Sequence, residues 1–178
     1  TQGSELLILK GSTASLQNAI GLQIEVNFIE LYNNQPLFND VDDFIRKMGF
    51  ELFDIKRYFW KRINSKSFGN QKGQLIFGDA LYFKVPEQIL NIDNIDGDNV
   101  IRAICTYLVY GYVDLAEELF NAVKQNSLIS KEAIKNVTSI LVKITKRNLL
   151  PNFRGKNRIR NMILEGANIF SINGPYSG

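Results

Sequence analysis

Ile20-Gly-Leu-Gln-Ile-Glu-Val-Asn27, followed after one loop by Asn39-Asp-Val-Asp-Asp-Phe-Ile-Arg-Lys-Met-Gly49, decides the fold class. In the first stretch Leu22, Ile24 and Val26 alternate with Gln23, Glu25 and Asn27, the period of two that a half-buried strand requires. In the second, Val41, Phe44, Ile45 and Met48 recur at i, i+3, i+4 and i+7 and so share one side of a helix. Asn39 or Asp40 can cap that helix, acidic Asp42 and Asp43 suit its first turn, and Gly49 can close it. The intervening loop, Glu30 to Phe38, is rich in turn formers.

Reading outward, Phe50 to Trp60 forms a long strand and Gly73 to Val85 another, with Leu75, Phe77, Leu81 and Phe83 apolar. Gly78 can mark a bulge in the latter, and polar Asn64 to Lys72 suits a hairpin loop. Strand, helix, strand, hairpin, strand predicts that the first two strands are parallel by a right-handed crossover and that the third is antiparallel to the second. Three strands make a small sheet, open at the edge of its first strand. Upstream, Ser4 to Lys10 reads as a short helix capped by Ser4 and closed by Gly11.

Beyond Pro86 the pattern changes. Asn91 to Asn99 is a polar, acidic linker, and three amphipathic helices follow. Their stripes are Val100, Ile101, Ile104 and Leu108; Leu115, Leu119, Phe120 and Val123; and Ile134, Val137, Leu141 and Ile144, with Asp114 and Ser130 as candidate caps. Such helices form a small bundle or pack onto the sheet. The chain therefore divides into an α/β part (residues 1–87), a helical extension (residues 88–150) and a basic tail (residues 151–178) expected to be partly ordered at best.

The 178 residues are 45% hydrophobic and 22% charged, the profile of a globular chain, and a net charge of +3 demands no polyanionic partner. No apolar run is long enough for a membrane span, and Thr1-Gln-Gly-Ser-Glu5 lacks the features of a signal peptide. The chain starts without Met and reads as a fragment. A single cysteine rules out an intrachain disulfide and fits a cytoplasmic setting. The absence of histidine excludes Ser-His-Asp and Cys-His catalysis and His-ligated zinc, leaving acid–base work to carboxylates, Lys or Tyr. Asp93, Asp96 and Asp98 do not make a calcium loop, because the twelfth position counted from Asp93 is Ile104 where a glutamate is required; no metal site is expected.

Thr1-Gln-Gly-Ser-Glu-Leu-Leu-Ile-Leu-Lys-Gly11 resembles the segment that follows the fourth strand in FkbM-family methyltransferases. The likeness continues through Ile24-Glu25-Val26, Tyr32-Asn-Asn-Gln-Pro-Leu-Phe38, Gly49-Phe50-Glu51-Leu52-Phe53-Asp54, Gly73-Gln74-Leu75 and Asp79-Ala80-Leu81-Tyr82-Phe83, about half the chain. It implies an α/β fold, the C-terminal portion of a Rossmann-like methyltransferase sheet whose last pair is antiparallel, followed by the helical extension. It implies S-adenosylmethionine as cofactor, held by residues expected upstream of Thr1, and methyl transfer to a hydroxyl of a sugar or other small polar acceptor. Glu5 is the candidate catalytic base, while Gln2, Gly3, Glu25 and Tyr32 are candidate acceptor-binding residues. The alternative is a non-catalytic binding or protein-interaction module derived from a truncated methyltransferase.

Several features have plainer readings beside the functional ones. Glu5 also suits a first helical turn, Glu25 a solvent-facing strand position and Tyr32 loop packing. Lys56, Arg57, Lys61, Arg62, Lys66 and Lys72, interleaved with Tyr58, Phe59, Trp60 and Phe68, read as a solvated hairpin ahead of an anionic-acceptor or nucleic-acid surface. Lys146, Arg147, Arg154, Lys156, Arg158 and Arg160 read as a solvated tail, and Cys105 as a small core residue. Homo-oligomerisation through the open sheet edge or the helical extension is a further expectation.

Overall fold

A computed structural model describes residues 3–62, 73–125 and 128–146. The Asn64–Lys72 loop and the tail from Pro151 lie outside the described residues, as does Gln2. The N-terminal helix α1 spans Glu5–Gly11, and a second helix that the sequence reading missed, α2, spans Thr13–Asn18. Gly11 thus lies within α1 instead of closing it; the break falls at Ser12, whose N–H donates to the carbonyls of Ile8 and Leu9. Ser4 occupies the N-cap position, but its side chain makes no capping bond.

Strand β1 (Gly21–Asn27) buries Ile24 and Val26 and exposes Gln23 and Glu25, as the alternation requires. Helix α3 (Phe38–Lys47) starts earlier than its acidic residues suggest, with Leu37 at the N-cap in place of Asn39 or Asp40. Asp40 satisfies the helix start from inside the first turn, accepting a 2.8 Å bond from the Leu37 N–H. Gly49, at φ 85°, supplies the left-handed residue that ends the helix.

Strands β2 (Glu51–Trp60) and β3 (Gln74–Phe83) complete a three-stranded sheet of order β1-β3-β2. β3 pairs antiparallel with both neighbours, so β1 and β2 run in the same direction without touching each other. Strand composition explains the order. β3 carries Ile76, Ala80, Tyr82 and Phe83 buried, whereas β2 is charged and largely exposed, which suits an edge. Gly78 is not a bulge: the register runs unbroken through it, and the irregularities fall at Leu52/Asp54 and Tyr58/Phe59. Its missing side chain instead admits the Ile55 side chain and the Lys56 carbonyl, which would lie 2.8 and 2.9 Å from a Cβ.

The remaining elements are α4 (Pro86–Leu90), α5 (Gly97–Tyr110), α6 (Val113–Val123) and α7 (Lys131–Lys146). One core lies between α1, α2, α3 and the sheet face bearing Ile24, Val26, Ala80 and Tyr82. The other joins Phe83, with Leu81 and Phe53 against it, to α4–α7, so the helical segment packs onto the sheet's second face. Asp96 caps α5 by accepting from Asn99 N–H at 2.7 Å, and Ser130 caps α7 by accepting from Ala133 N–H at 3.1 Å. Asp114 sits in the first turn of α6 behind Tyr112, the N-cap residue. Cys105 is exposed, contrary to its core reading, because the buried side of α5 is Val100, Ala103, Ile104 and Tyr107.

Two buried phenols tie helices to β3 and its continuation. Tyr82 donates to Asp42 Oδ1 at 3.1 Å, and Tyr107 donates to the Lys84 carbonyl. Burial, reinforced by Asp42 in the first case and Glu87 in the second, pushes both phenols well above their ordinary value.

Gly21→Ala should destabilise the fold by about 1–3 kcal/mol in urea unfolding, since its Cβ would stand 2.3 Å from the buried Phe83 ring. Stability should also fall as pH rises beyond about 10, because the unfolded phenols ionise there while the folded ones hold their protons. Tyr107→Phe should flatten that alkaline decline.

Candidate functional site

β1 ends at Asn27, and the chain then turns through Phe28 to Leu37 before α3. Gln35, only 7% exposed, organises this loop: its Oε1 accepts from the N–H groups of Leu31 at 3.1 Å and Tyr32 at 3.3 Å. Glu30 secures the tip by accepting from the Asn34 N–H, and Asn34 adopts a left-handed φ of 58°. Gly3, at φ 78°, lies against this loop. A Cβ there would be in ordinary contact, 3.6 Å from both Tyr32 Cδ2 and Gln35 Cγ, so it is the left-handed backbone that strains any side chain at this position. Tyr32 is 50% exposed beside it.

Two of the expected site residues, Gly3 and Tyr32, are thus brought into contact, and half-buried Glu5 follows Gly3 in the first turn of α1. Glu25 is not part of this group. Its neighbours Ile24 and Val26 face α1–α3, so Glu25 projects from the opposite face, in register with Asp79. Gln2 lies outside the described residues.

Gln35 was missed by sequence reasoning although it is the residue that holds the loop. Its signal was a glutamine between turn-forming asparagines and Pro36, which fixes the chain direction next to it. Lys84 was missed as well. It is 4% exposed, its Nζ donates to the Leu16 carbonyl at 3.0 Å and to that of Gln17, and it lies 4.9 Å from the Phe50 ring centroid. Burial lowers its pKa, and its position at the end of α2 is structural: it satisfies carbonyls that the helix leaves open.

Two cavities lie elsewhere among the described residues. One is bounded by Asn18, Ile20, Ile89 and Asn99, the other by Asp96, Ile101, Leu128 and Ala133, and neither shares a residue with the Gly3–Tyr32–Gln35 group. Among the described residues no cluster of three His, Cys, Asp or Glu side chains is arranged to hold a metal ion, and no helix is long and apolar enough to cross a membrane.

Residues 1–52 match the family model of the methyltransferase FkbM domain. The matched stretch takes in α1, α2, β1, α3 and the start of β2, hence Gly3, Glu5, Glu25, Tyr32 and Gln35; β3 and helices α4–α7 lie beyond it. No curated protein matches the chain, and no solved structure matches it. The match links this part of the chain to methyl transfer as a class of chemistry.

Gln35→Ala should release the loop. We expect a loss of about 1–3 kcal/mol from the two orphaned N–H groups, and faster hydrogen exchange at Leu31 and Tyr32 with the amides of α5 unchanged.

Proposed function

We propose that the chain supplies the acceptor-side part of an S-adenosylmethionine-dependent O-methyltransferase whose acceptor is a hydroxyl of a sugar or other small polar molecule. The carrying observation is a coincidence of place. The family match covers residues 1–52, and within it Gly3, Tyr32 and Gln35 converge beyond the C-terminal end of β1, where open α/β sheets bind their ligands. A Rossmann-like origin of the sheet and a cytoplasmic setting belong to the same reading.

The described residues do not fit the cofactor by themselves. Gln35, buried at the site, already spends its carbonyl oxygen on Leu31 and Tyr32, and two cavities of the described residues lie elsewhere. This chain's own contribution is on the acceptor. Tyr32 offers an exposed ring and hydroxyl to position it, and the Gly3 backbone leaves room for close approach. Glu5, at the start of α1, takes the proton that the acceptor hydroxyl loses.

A protein-interaction role is the second reading, favoured by α1, where Leu7 is 70% and Ile8 47% exposed.

The test is incorporation of labelled methyl from S-adenosylmethionine by the longest translated polypeptide that contains these residues. Glu5→Gln should lower turnover roughly 10²–10⁴-fold with cofactor affinity unchanged. Full activity in that variant would remove Glu5 from the chemistry, and failure to bind the cofactor at all would favour the interaction reading.

A further inference from the structure

Strand direction gathers several groups at one end of the sheet. β1 ends there at Asn27, β2 ends there at Trp60, and β3 begins there at Gln74. On the sheet face opposite α1–α3, helices α4–α7 pack over Leu81 and Phe83, whereas the stretch toward Gln74 carries an aromatic cluster. Tyr58 stacks on Phe77 with centroids 4.6 Å apart and planes 12° apart, and Trp60 meets Phe77 edge-on at 6.3 Å. Trp60 remains 54% exposed.

Beside the rings runs a polar row set by the strand register: Glu25 opposite Asp79, and Asp79 opposite Lys56. Tyr58 donates to Asp79 Oδ2 at 3.0 Å, and Lys56 Nζ lies 5.2 Å from the Tyr58 ring centroid. Along this row two carboxylates face one ammonium, so the row itself does not attract a polyanion, although Lys61 and Arg62 follow Trp60 in the chain and are exposed. Arg57 does not alter that balance, since it is in register with Gly78 and so projects from the other face, over Phe59. The exposed Trp60 indole, backed by the half-buried Tyr58–Phe77 stack and next to carboxylate acceptors, instead matches a neutral ligand with apolar C–H faces and many hydroxyl donors. From Phe77 to Asp79 the strand advances about 7 Å, and each strand lies about 4.8 Å from the next, so the row and the rings span one to two sugar rings.

We propose that Tyr58, Trp60 and Phe77, with Glu25, Lys56 and Asp79, form a platform for a neutral oligosaccharide. A pyranose ring stacks on Trp60, and hydroxyls of the same or the adjoining sugar donate to Asp79 and Glu25. The proposal deepens the acceptor-side reading by naming the ligand class and a surface at the same end of the sheet. It is tested by binding alone, so its failure and the failure of methyl transfer are separate results.

Trp60 is the only tryptophan in the chain, so its emission reports directly on the platform. The 178-residue chain is titrated with neutral hexasaccharides of glucose, mannose and galactose, and separately with a heparin hexasaccharide as the polyanion. A saturable change with at least one neutral sugar and none with heparin is expected. Glu25→Gln and Asp79→Asn should each weaken that binding roughly tenfold, the loss of a hydrogen bond to a charged group. By calorimetry Trp60→Ala should lose the binding heat while its circular dichroism stays that of the parent. No response to any neutral sugar, a response to heparin, or undiminished binding by a folded Trp60→Ala variant would overturn the proposal.

Discussion

The packing of β3 on both faces at its Ala80–Phe83 end is the constraint on which the rest of the structure depends. Ala80 and Tyr82 face one core while Leu81 and Phe83 face the other, so helices must cover both sides of this strand. Its neighbours are chosen accordingly. Gly21 on β1 makes room for the Phe83 ring, and charged β2 takes the outer edge. The chain leaving β3 carries the constraint onward. Lys84 closes the end of α2, and its carbonyl accepts the Tyr107 hydroxyl of α5, so both helical layers are fastened at one residue.

The same strand also fixes which groups share one end of the sheet. Because β3 is antiparallel to both partners, β1 and β2 finish at the same end of the sheet. The loop held by Gln35, the start of α1 at Gly3 and the aromatic end of the β2–β3 pair therefore belong to one region, although they are distant in sequence. Glu25 reaches that end from the opposite face to the one α1 covers, which separates its role from that of Glu5.

Periodicity made the strands and long helices legible, since Ile24, Val26, Val41, Ile45, Leu119 and Val137 are buried as their spacing demands. Strand order was less accessible. The crossover rule gives the relative direction of β1 and β2 but not whether another strand lies between them; β3's two-sided burial settles that only once the helices after Pro86 are seen to pack on the sheet. Local details failed for local reasons. Leu37 became the N-cap because Asp40 can satisfy the helix start from the third position, and Cys105 lies off the stripe that Ala103 and Tyr107 extend. Gly3 and Tyr32, named through family resemblance, lie side by side in the fold. Gln35, whose work is to bind backbone N–H groups, has no periodic or charge signature to announce it.

Hydrogen exchange on the longest translated polypeptide containing these residues, saturated with S-adenosylmethionine and compared with and without neutral hexasaccharides of glucose, mannose and galactose as acceptor, tests most directly whether the C-terminal end of β1 is the acceptor-binding end. Exchange should slow at Ser4 and Glu5 and across residues 31–35, with helices α5–α7 unchanged. Protection confined to α5–α7, or no protection anywhere in this chain, would contradict it.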